Sequence, residues 1–284
     1  IDKLTYASNI NYLKDISEYK NYFFYKVDIN ETKKINLIIR KYKPIFLFNF
    51  AAESHVDKSI INSDKFLITN ILGTNSLLKA ILKNRSYLKK NFKFIQISTD
   101  EVFGDIRRNI KSKESDRYNP SSPYAASKAA ADHLVSSWAR TYNFNYNITY
   151  SSNNFGPNQN KEKFIPVIVK KIIKNKKIPI YGNGDQRRNW IFVEDNVEAI
   201  MTIAESGVNN TAYNIGSNNS FSNIHLVNKI CHVMIKNFNF DKIIFNFIKF
   251  VKDRPGHDKN YNLNLSKIKL LNWKYNYSFK SAIK

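Results

Sequence analysis

The chain has 284 residues, of which 43% are hydrophobic and 14% aromatic, so its composition is that of a globular protein and excludes a disordered one. It carries 45 Lys and Arg residues against 23 Asp and Glu residues, a net charge of +22, but the lysines are scattered and no nucleic-acid-binding module accompanies them. We therefore expect anionic ligands to be attracted to the protein, with no specific nucleic acid among its partners.

No apolar run approaches the ~20 residues that a helix needs to cross a bilayer, so we expect no membrane partner. The single Cys231 cannot form an internal disulfide, and the five histidines show no metal-like clustering with one another or with it. These features favour a cytoplasmic protein with no metal and with a buried structural thiol at Cys231.

Short apolar runs in the first half of the chain alternate with longer helical patterns. The runs at 22–27, 45–50, 92–98 and 147–151 predict strands, and the patterns at 31–43, 65–84 and 124–142 predict helices. This alternation predicts an α/β fold with a doubly wound, Rossmann-like parallel sheet. Ligands of such sheets bind at the carboxyl ends of the strands, where we expect the segments that follow these strands to converge.

After Phe155 the pattern becomes that of a smaller, mixed α/β region. It predicts a helix at 164–175, a strand at 178–181 followed by a turn at Gly182 and Gly184, a strand at 190–193, helices at 195–205 and 223–237, and a loop at 253–258. Asp195 is a candidate N-cap. We predict two regions, 1–155 and 156–284, with 190–215 packing back onto the first.

Two short motifs carry the chemistry. Thr99, Asp100 and Glu101 end a predicted strand, and Tyr124 and Lys128 lie four residues apart on a predicted helix, hence on one face. The Lys128 ammonium can lower the pKa of the Tyr124 phenol and make it a usable base, while the two carboxyl groups can move protons on neighbouring carbons. Together they predict oxidation of an alcohol combined with acid–base chemistry.

Such an oxidation suggests a dinucleotide, but the glycine-rich turn that binds its pyrophosphate is not present among the eight glycines. Asp2 would suit the ribose-binding acid of that fingerprint if roughly 30 residues, including a first strand and glycine loop, preceded Ile1. We therefore expect an amino-terminally truncated sequence that binds the dinucleotide weakly. The alternative is a native terminus at Ile1 with Asp2 as a surface acid.

The motifs resemble those of the extended short-chain dehydrogenase/reductases, in the NAD-dependent epimerase/dehydratase family, and within it the dTDP-glucose 4,6-dehydratases. The resemblance covers nearly the whole chain and rests on residues 2–7, 51–57, 69–74, 98–104, 122–128, 152–157 and 254–258. The adjacent Asp100 and Glu101 after Thr99 discriminate the dehydratases, because the related epimerases lack such a pair.

The resemblance implies NAD as the cofactor and a nucleotide-sugar, dTDP-glucose, as the substrate. It implies that Tyr124, assisted by Lys128 and Thr99, removes the proton of the sugar 4-hydroxyl. Glu101 would then take the C5 proton as general base, and Asp100 would protonate the departing 6-hydroxyl as general acid. Such a division of roles requires environments that separate the two carboxyl pKa values.

The resemblance also implies the binding residues. The cofactor would contact Tyr124, Lys128 and a further set of residues: Asp2, Lys3, Thr5, Asp28, Ile29, Ala51, Ala52, Thr69 and Asn154. The nucleotide-sugar would contact Thr99 and a second set: Ser54, Asn153, Arg188, Asn223, Arg254 and His257. Guanidinium groups such as those of Arg188 and Arg254 bind a diphosphate bidentately.

Three alternatives stay open at this point. The chain could be a nucleotide-sugar 4-epimerase, which needs Tyr124 and Lys128 but no acid–base pair, or it could be an inactive truncated remnant or a basic binding protein. The nucleobase could be thymine or uracil. The resemblance further implies a homodimer through the helices at 65–84 and 124–142.

Overall fold

The computed structural model describes residues 1–283, which form both helices and strands. The helices are α1 (Lys14–Ser17), α2 (Thr32–Tyr42), α3 (Val56–Ile61), α4 (Asp64–Phe66), α5 (Gly73–Lys83), α6 (Pro123–Tyr142), α7 (Phe164–Ile173), α8 (Val193–Ser206), α9 (Asn223–Phe238), α10 (Ser266–Lys269) and α11 (Phe279–Ala282). The strands are β1 (Phe46–Asn49), β2 (Lys93–Thr99), β3 (Asn145–Ser151), β4 (Asn153–Phe155), β5 (Ile178–Tyr181), β6 (Arg187–Phe192), β7 (Thr211–Ile215), β8 (Ser220–Ser222) and β9 (Ile248–Val251).

The chain divides into two compact units. Unit 1 comprises 1–97, 123–148 and 208–211, and unit 2 comprises 98–122, 149–207 and 212–284. The assignment of residues 1–155 to cofactor binding and of residues 156–284 to nucleotide-sugar binding stays a prediction.

The principal sheet has the strand order β1-β2-β3-β7. β1 and β2 are parallel, with Phe46 opposite Lys93 and Asn49 opposite Gln96. Parallel neighbours need a crossover connection, and the helical segments between Val56 and Lys83 supply it. The predicted α/β fold with a parallel sheet is thereby confirmed.

The core of unit 1 forms where amphipathic helices cover strand residues. α2 contributes Ile35 and Ile39, one turn apart on one face, as expected for an apolar stripe of period 3.6. These side chains belong to one buried cluster with the following residues: Val27, Leu77, Leu78, Ala80, Ile81, Phe92, Phe94 and Val135.

Unit 2 contains two smaller sheets. In the first, β4 pairs parallel with β6, and β6 pairs antiparallel with β8. In the second, β5 pairs parallel with β9. A separate apolar core of unit 2 includes Ile168 of α7, Trp190 of β6 and the wholly buried Cys231 of α9. This confirms a mixed α/β region and a buried thiol, whose pKa burial raises to about 11.

Three predicted elements need correction. The segment 22–27 does not form a strand: it makes one bridge, Asp2 to Lys26, held by two backbone hydrogen bonds of Asp2 to Tyr25 and Val27, which is too short for a ladder. The strand predicted at 190–193 begins earlier, at Arg187. The helix predicted at 65–84 is interrupted by a π-helical segment at Leu67–Leu72.

Asp195 is not an N-cap, because α8 begins two residues before it and its N-cap position is Phe192. The Asp195 carboxylate instead accepts hydrogen bonds from the backbone N–H groups of Asn276 (2.7 Å) and Tyr277 (3.1 Å). Asp195 lies in the first turn of α8, and its role is set by a contact with a distant segment of the chain, which the local pattern does not encode.

Within residues 1–283, no helix combines the length and the apolar character needed to cross a membrane.

Candidate active site

Helix α6 places Tyr124 and Lys128 one turn apart on a buried face of unit 1. The Tyr124 backbone N–H donates to Ser59 Oγ (3.2 Å), and its ring meets that of Phe66 edge-on at 6.3 Å between centroids. The Lys128 ammonium donates to the carbonyl oxygen of Ile97 (2.5 Å). Both side chains are therefore held in place by neighbours on other elements of unit 1.

Lys128 is an ammonium inside protein. Burial lowers its pKa, and the carboxylate of Asp132, one further turn along α6, opposes that shift. Asp132 is itself 1% exposed. Tyr124, Lys128 and Asp132 thus follow one another at four-residue spacing on the same face of the helix.

Asn70, in the π-helical segment, connects α6 to the loop after β1. Its Oδ1 accepts from the backbone N–H of Glu53 (2.9 Å), and its Nδ2 donates to the Glu53 carbonyl (3.0 Å) and to Ser127 Oγ (2.8 Å). Ser127 Oγ donates in turn to the Tyr124 carbonyl (2.7 Å). Isolated π-helical turns occur frequently at functional sites, and this one brings an amide side chain to the helix of Tyr124.

Unit 1 also holds a cavity of about 1010 Å³. All but three of the residues expected to bind the cofactor line it, namely Asp2, Lys3, Thr5, Asp28, Ile29, Ala51, Ala52 and Thr69, as does Ser54 from the predicted substrate set. The three others are Tyr124 and Lys128 on α6 and Asn154 in unit 2. The cavity is large enough for much of a dinucleotide.

The polar groups of this cavity are organised around Lys3. Its ammonium lies 3.4 Å from Asp28 Oδ2 and 3.4 Å from Thr69 Oγ1. Desolvation raises the pKa of the Asp28 carboxyl, but hydrogen bonds from Asn30 and the charge of Lys3 outweigh it, so the net shift is downward. An ionised carboxylate can accept hydrogen bonds from ribose hydroxyls, and an ammonium can pair with a phosphate, so these residues fit an adenine dinucleotide.

In unit 2, Thr99 ends β2 and caps the short 3₁₀ helix Asp100–Phe103, with Thr99 Oγ1 accepting from the Glu101 N–H (3.3 Å). The Thr99 hydroxyl donates to Asp100 Oδ1 (3.3 Å). The helix ends at Gly104, whose φ of +69° and close approach to the Asn119 carbonyl leave no room for a side chain. The carboxyl pair therefore sits on a short, fixed turn.

The two carboxyl groups have different surroundings. Asp100 is 3% exposed, and burial, then the charge of Glu101, raises its pKa to about 8 against the opposing charge of Arg188. Burial also raises the pKa of Glu101, but three cations, Arg188, Arg254 and Lys163, oppose that rise. Burial thus favours the neutral form of both carboxyl groups, and the cations oppose it more strongly at Glu101 than at Asp100.

Arg188 is fixed in β6 beside this pair. Its guanidinium lies 4.1 Å above the Tyr261 ring and donates to the carbonyl oxygens of Arg187 (2.8 Å) and Asp258 (2.9 Å). Tyr261 donates in turn to Asp258 Oδ2 (2.5 Å). Burial raises the Tyr261 pKa, so the phenol keeps its proton and acts as the donor.

The remaining predicted residues of unit 2 lie on β4, on α9 and in the loop after β9. Asn153 and Asn154 are the first two residues of β4, with Asn154 Nδ2 donating to the Ser152 carbonyl (3.2 Å). Asn223 is the first residue of α9, and Arg254 and His257 belong to the loop. Arg188 and Arg254 lie close enough to His257 in unit 2 for their charges to lower its pKa.

Several residues of these clusters were missed by sequence reasoning. Asn70 lies in the segment 69–74 that carries the resemblance but was given no role, and the others, Asp132, Gln186, Asp253 and Tyr261, are ordinary polar or aromatic residues outside the quoted motifs. The available signal was proximity in the chain, since Asp132 follows Lys128 by one helical turn and Asp253 and Tyr261 flank His257 at four-residue spacing.

Among residues 1–283, no group of three or more His, Cys, Asp or Glu side chains is arranged to hold a metal ion.

The fold and these clusters define a member of the extended short-chain dehydrogenase/reductases, with a Rossmann-like sheet, a Tyr-x-x-x-Lys helix and a carboxyl pair after a strand. The family model described as GDP-mannose 4,6 dehydratase matches residues 1–284. The dTDP-glucose 4,6-dehydratase of Haemophilus influenzae is 42% identical over 295 residues, covering 100% of this chain and 87% of its own length. The chain therefore belongs to this family of nucleotide-sugar 4,6-dehydratases.

Solved structures agree. DesIV, a dTDP-glucose 4,6-dehydratase from Streptomyces venezuelae with NAD and TYD bound, superposes with a TM-score of 0.91 at 32% identity, covering 99% of this chain and 83% of that chain. The dTDP-glucose 4,6-dehydratase from Bacillus anthracis in complex with NAD gives 0.85 at 34% identity, covering 99% and 84%. A UDP-glucose 4-epimerase from Thermotoga maritima, at 23% identity with a TM-score of 0.84, shares the fold alone.

Proposed function

We propose that this protein converts dTDP-glucose to dTDP-4-keto-6-deoxyglucose and water. The observation that supports it most is the pair Asp100 and Glu101, in which one carboxyl group is kept protonated and its neighbour faces three cations. A 4-epimerase has no use for such a pair, because epimerisation requires no elimination of water. The named activity of the relatives agrees with this assignment.

In the first step Tyr124 takes the proton of the sugar 4-hydroxyl as a hydride leaves C4. NAD⁺ held by the residues of the unit 1 cavity would supply the acceptor for that hydride and its return to C6. Lys128 stabilises the tyrosinate by its charge, and its bond to the Ile97 carbonyl orients the ammonium. Thr99 offers a further hydroxyl to the substrate.

The resulting 4-ketone acidifies the hydrogen on C5. Glu101 takes this proton as general base, and Asp100 gives its proton to the departing 6-hydroxyl, which leaves as water. Glu101 then returns a proton to C5 as C6 is reduced. A pKa near 8 suits Asp100 to this role, because the carboxyl group is still protonated at neutral pH.

We assign binding of the adenosine half of NAD to the cavity of unit 1, with Asp2, Lys3, Thr5, Asp28 and Ile29 as its polar and apolar contacts. Ala51, Ala52 and Thr69 line the same cavity, and we assign Asn154 to the nicotinamide. We assign the nucleotide-sugar to Ser54, Asn153, Arg188, Asn223, Arg254 and His257. The two arginines supply the charge that a diphosphate requires.

We further propose a homodimer formed through the helical segments 65–84 and 124–142. The exposed side chains of Leu67 (43%), Ile68 (50%) and Leu72 (54%) on the first segment support an apolar interface there. For the compartment we propose the cytoplasm, which suits a chain whose one cysteine is buried and free.

The test is the product formed from dTDP-glucose in the presence of NAD⁺, analysed by mass spectrometry. We expect the mass to fall by one water, and an isobaric sugar nucleotide would instead assign an epimerase. Glu101→Gln should still oxidise the sugar but lose elimination by about a hundredfold to ten-thousandfold, and Tyr124→Phe should block the oxidation itself.

Two matched variants control for the substitutions themselves. Tyr12→Phe and Glu18→Gln change exposed residues outside the assigned site and should turn over at the parent rate. Full turnover by Glu101→Gln would remove Glu101 as the base, and an unimpaired first hydride transfer in Tyr124→Phe would remove Tyr124.

A further inference from the structure

The carboxylate of Asp253, in the loop after β9, accepts three hydrogen bonds inside unit 2. Asp253 Oδ1 accepts from His257 Nδ1 (2.6 Å) and from the Arg254 backbone N–H (2.8 Å), and Oδ2 accepts from Gln186 Nε2 (2.8 Å). Gly182, with a φ of +56°, allows this approach, since a Cβ there would lie 3.2 Å from Asp253 Oδ2. The carboxylate thus anchors two side chains at once.

The contact with Asp253 decides the tautomer of His257. Desolvation raises the pKa of Asp253, but the hydrogen bonds that it accepts from His257, the Arg254 N–H and Gln186 outweigh it and the net shift is downward, so the group is a carboxylate at neutral pH. A carboxylate only accepts hydrogen bonds, so His257 Nδ1 must carry the hydrogen. The other ring nitrogen, Nε2, is then an acceptor whenever the imidazole is neutral.

The surroundings keep the imidazole neutral. The His257 side chain is 6% exposed, and its edge meets the Tyr181 ring at 5.8 Å between centroids. Desolvation lowers its pKa, the charges of Arg254 and Arg188 lower it further, and Asp253 alone opposes them. Protonation of the imidazole would place a further positive charge beside those of Arg254 and Arg188.

Asp253 is also linked to Asn223. Gln186, held by Asp253 through its Nε2, accepts from Asn223 Nδ2 with its Oε1 (3.4 Å), and the Gln186 carbonyl accepts from the Asn223 N–H (2.9 Å). One carboxylate therefore sets the orientation of His257 directly and that of Asn223 through one intermediary.

We propose that Asp253 is a positioning residue that holds His257 with its hydrogen on Nδ1, so that Nε2 accepts a hydrogen bond from an O–H or N–H group of the nucleotide-sugar. A diphosphate oxygen has no hydrogen to donate and is therefore not the partner of Nε2. The diphosphate is assigned instead to Arg188 and Arg254. This inference rests on the proposed function for the identity of the ligand.

The tautomer is measured directly by long-range ¹H–¹⁵N NMR on the full chain labelled at histidine, with His257→Asn assigning the signal among the five histidines. We expect an Nδ1–H imidazole in the parent and in Asp253→Asn, whose amide oxygen still accepts, and a mixture of tautomers in Asp253→Ala. An Nε2–H imidazole in the parent, or an unchanged spectrum in Asp253→Ala, overturns the proposal.

Binding supplies the second measurement, with dTDP and inorganic pyrophosphate as probes in titration calorimetry. Asp253→Ala should weaken dTDP about tenfold, as for one lost hydrogen bond, and leave pyrophosphate unchanged, while Asp253→Asn should recover part of the dTDP affinity. Asp15→Ala, at an exposed helical position of unit 1, is the matched control.

The outcomes separate the two proposals. If the parent binds neither dTDP nor dTDP-glucose, the proposed function fails whatever the NMR result. If the parent binds dTDP and Asp253→Ala weakens both probes equally, or neither, the role given to Asp253 is wrong while the proposed function stands.

Discussion

Asp100 and Glu101 are neighbours with the same functional group, yet the structure gives them different electrostatic surroundings. Asp100 is buried beside Glu101, and one cation, Arg188, lowers its pKa. Glu101 is partly exposed to solvent, and three cations lower its pKa. Burial without compensation favours the neutral form of a carboxyl group, and cations favour the charged form. The proposed assignment of acid and base rests on this difference.

The raised pKa of Asp100 predicts a pH-dependent stability. Between the ordinary carboxyl pKa of 3.8 and about 8 the folded state binds a proton that the unfolded state releases, so the stabilising contribution is complete below that window and is lost as pH rises through about 8. The loss amounts to about 1.4 kcal/mol for each pH unit crossed. Asp100→Asn should remove this slope and also abolish elimination.

Urea unfolding at several pH values between about 5 and 8.5 measures this slope, with Asp15→Asn as the exposed control. An Asp100→Asn protein whose stability declines with pH as steeply as that of the parent would mean that another group carries the proton.

At the scale of elements, the helical segment from α4 to α5 is notable for its π-helical turn. A π-helical turn changes the directions in which its side chains point. Here Asn70, which lies within the turn, points into the interior and is 1% exposed. The amide then joins the loop after β1 to helix α6 through Glu53 and Ser127. Two segments that carry assigned residues are connected by one side chain.

We predict that Asn70→Ala lowers the free energy of unfolding by about 2 kcal/mol, because it removes the buried bond to Ser127 and leaves partly buried backbone groups of Glu53 without these partners. Asn70→Asp should be intermediate at acidic pH, where the protonated carboxyl group keeps an acceptor and one O–H donor in place of the two donor bonds of the amide. Asn91→Ala, at an exposed turn, should change stability by less than about 0.5 kcal/mol. Equal effects at the two asparagines, measured by denaturant unfolding, would refute the connecting role.

At the scale of the whole molecule, the net charge of +22 should act on the encounter with an anionic substrate. We predict that kcat/KM for dTDP-glucose falls as salt is raised from low to near-physiological ionic strength, while kcat changes little, since salt screens the long-range field and leaves buried contacts largely intact. Initial rates across a series of NaCl concentrations measure this. An unchanged kcat/KM would show that the surplus lysines do not steer the substrate.

Much of the architecture could be predicted because it is encoded locally. The helices at Thr32–Tyr42, Pro123–Tyr142 and Asn223–Phe238 match their apolar periodicity within a residue or two, and β1, β2 and β3 match their short apolar runs. The failures are those of elements that depend on distant partners: 22–27 lacks a neighbour along most of its length, and Asp195 serves a backbone segment eighty residues away.

The sequence by itself determined the family and the chemical groups, because motifs such as Thr99-Asp100-Glu101 and Tyr124-x-x-x-Lys128 are strings of residue types whose spacing fixes their place on a strand end or a helix face. Only the tertiary structure supplied the burial, charges and hydrogen bonds from which we propose roles for Asp100, Glu101 and His257, and the contacts that Asn70, Asp132 and Asp253 make around the assigned residues. The physical reason is that pKa values and tautomers depend on burial and on charges a few ångströms away, and those neighbours come from remote parts of the chain.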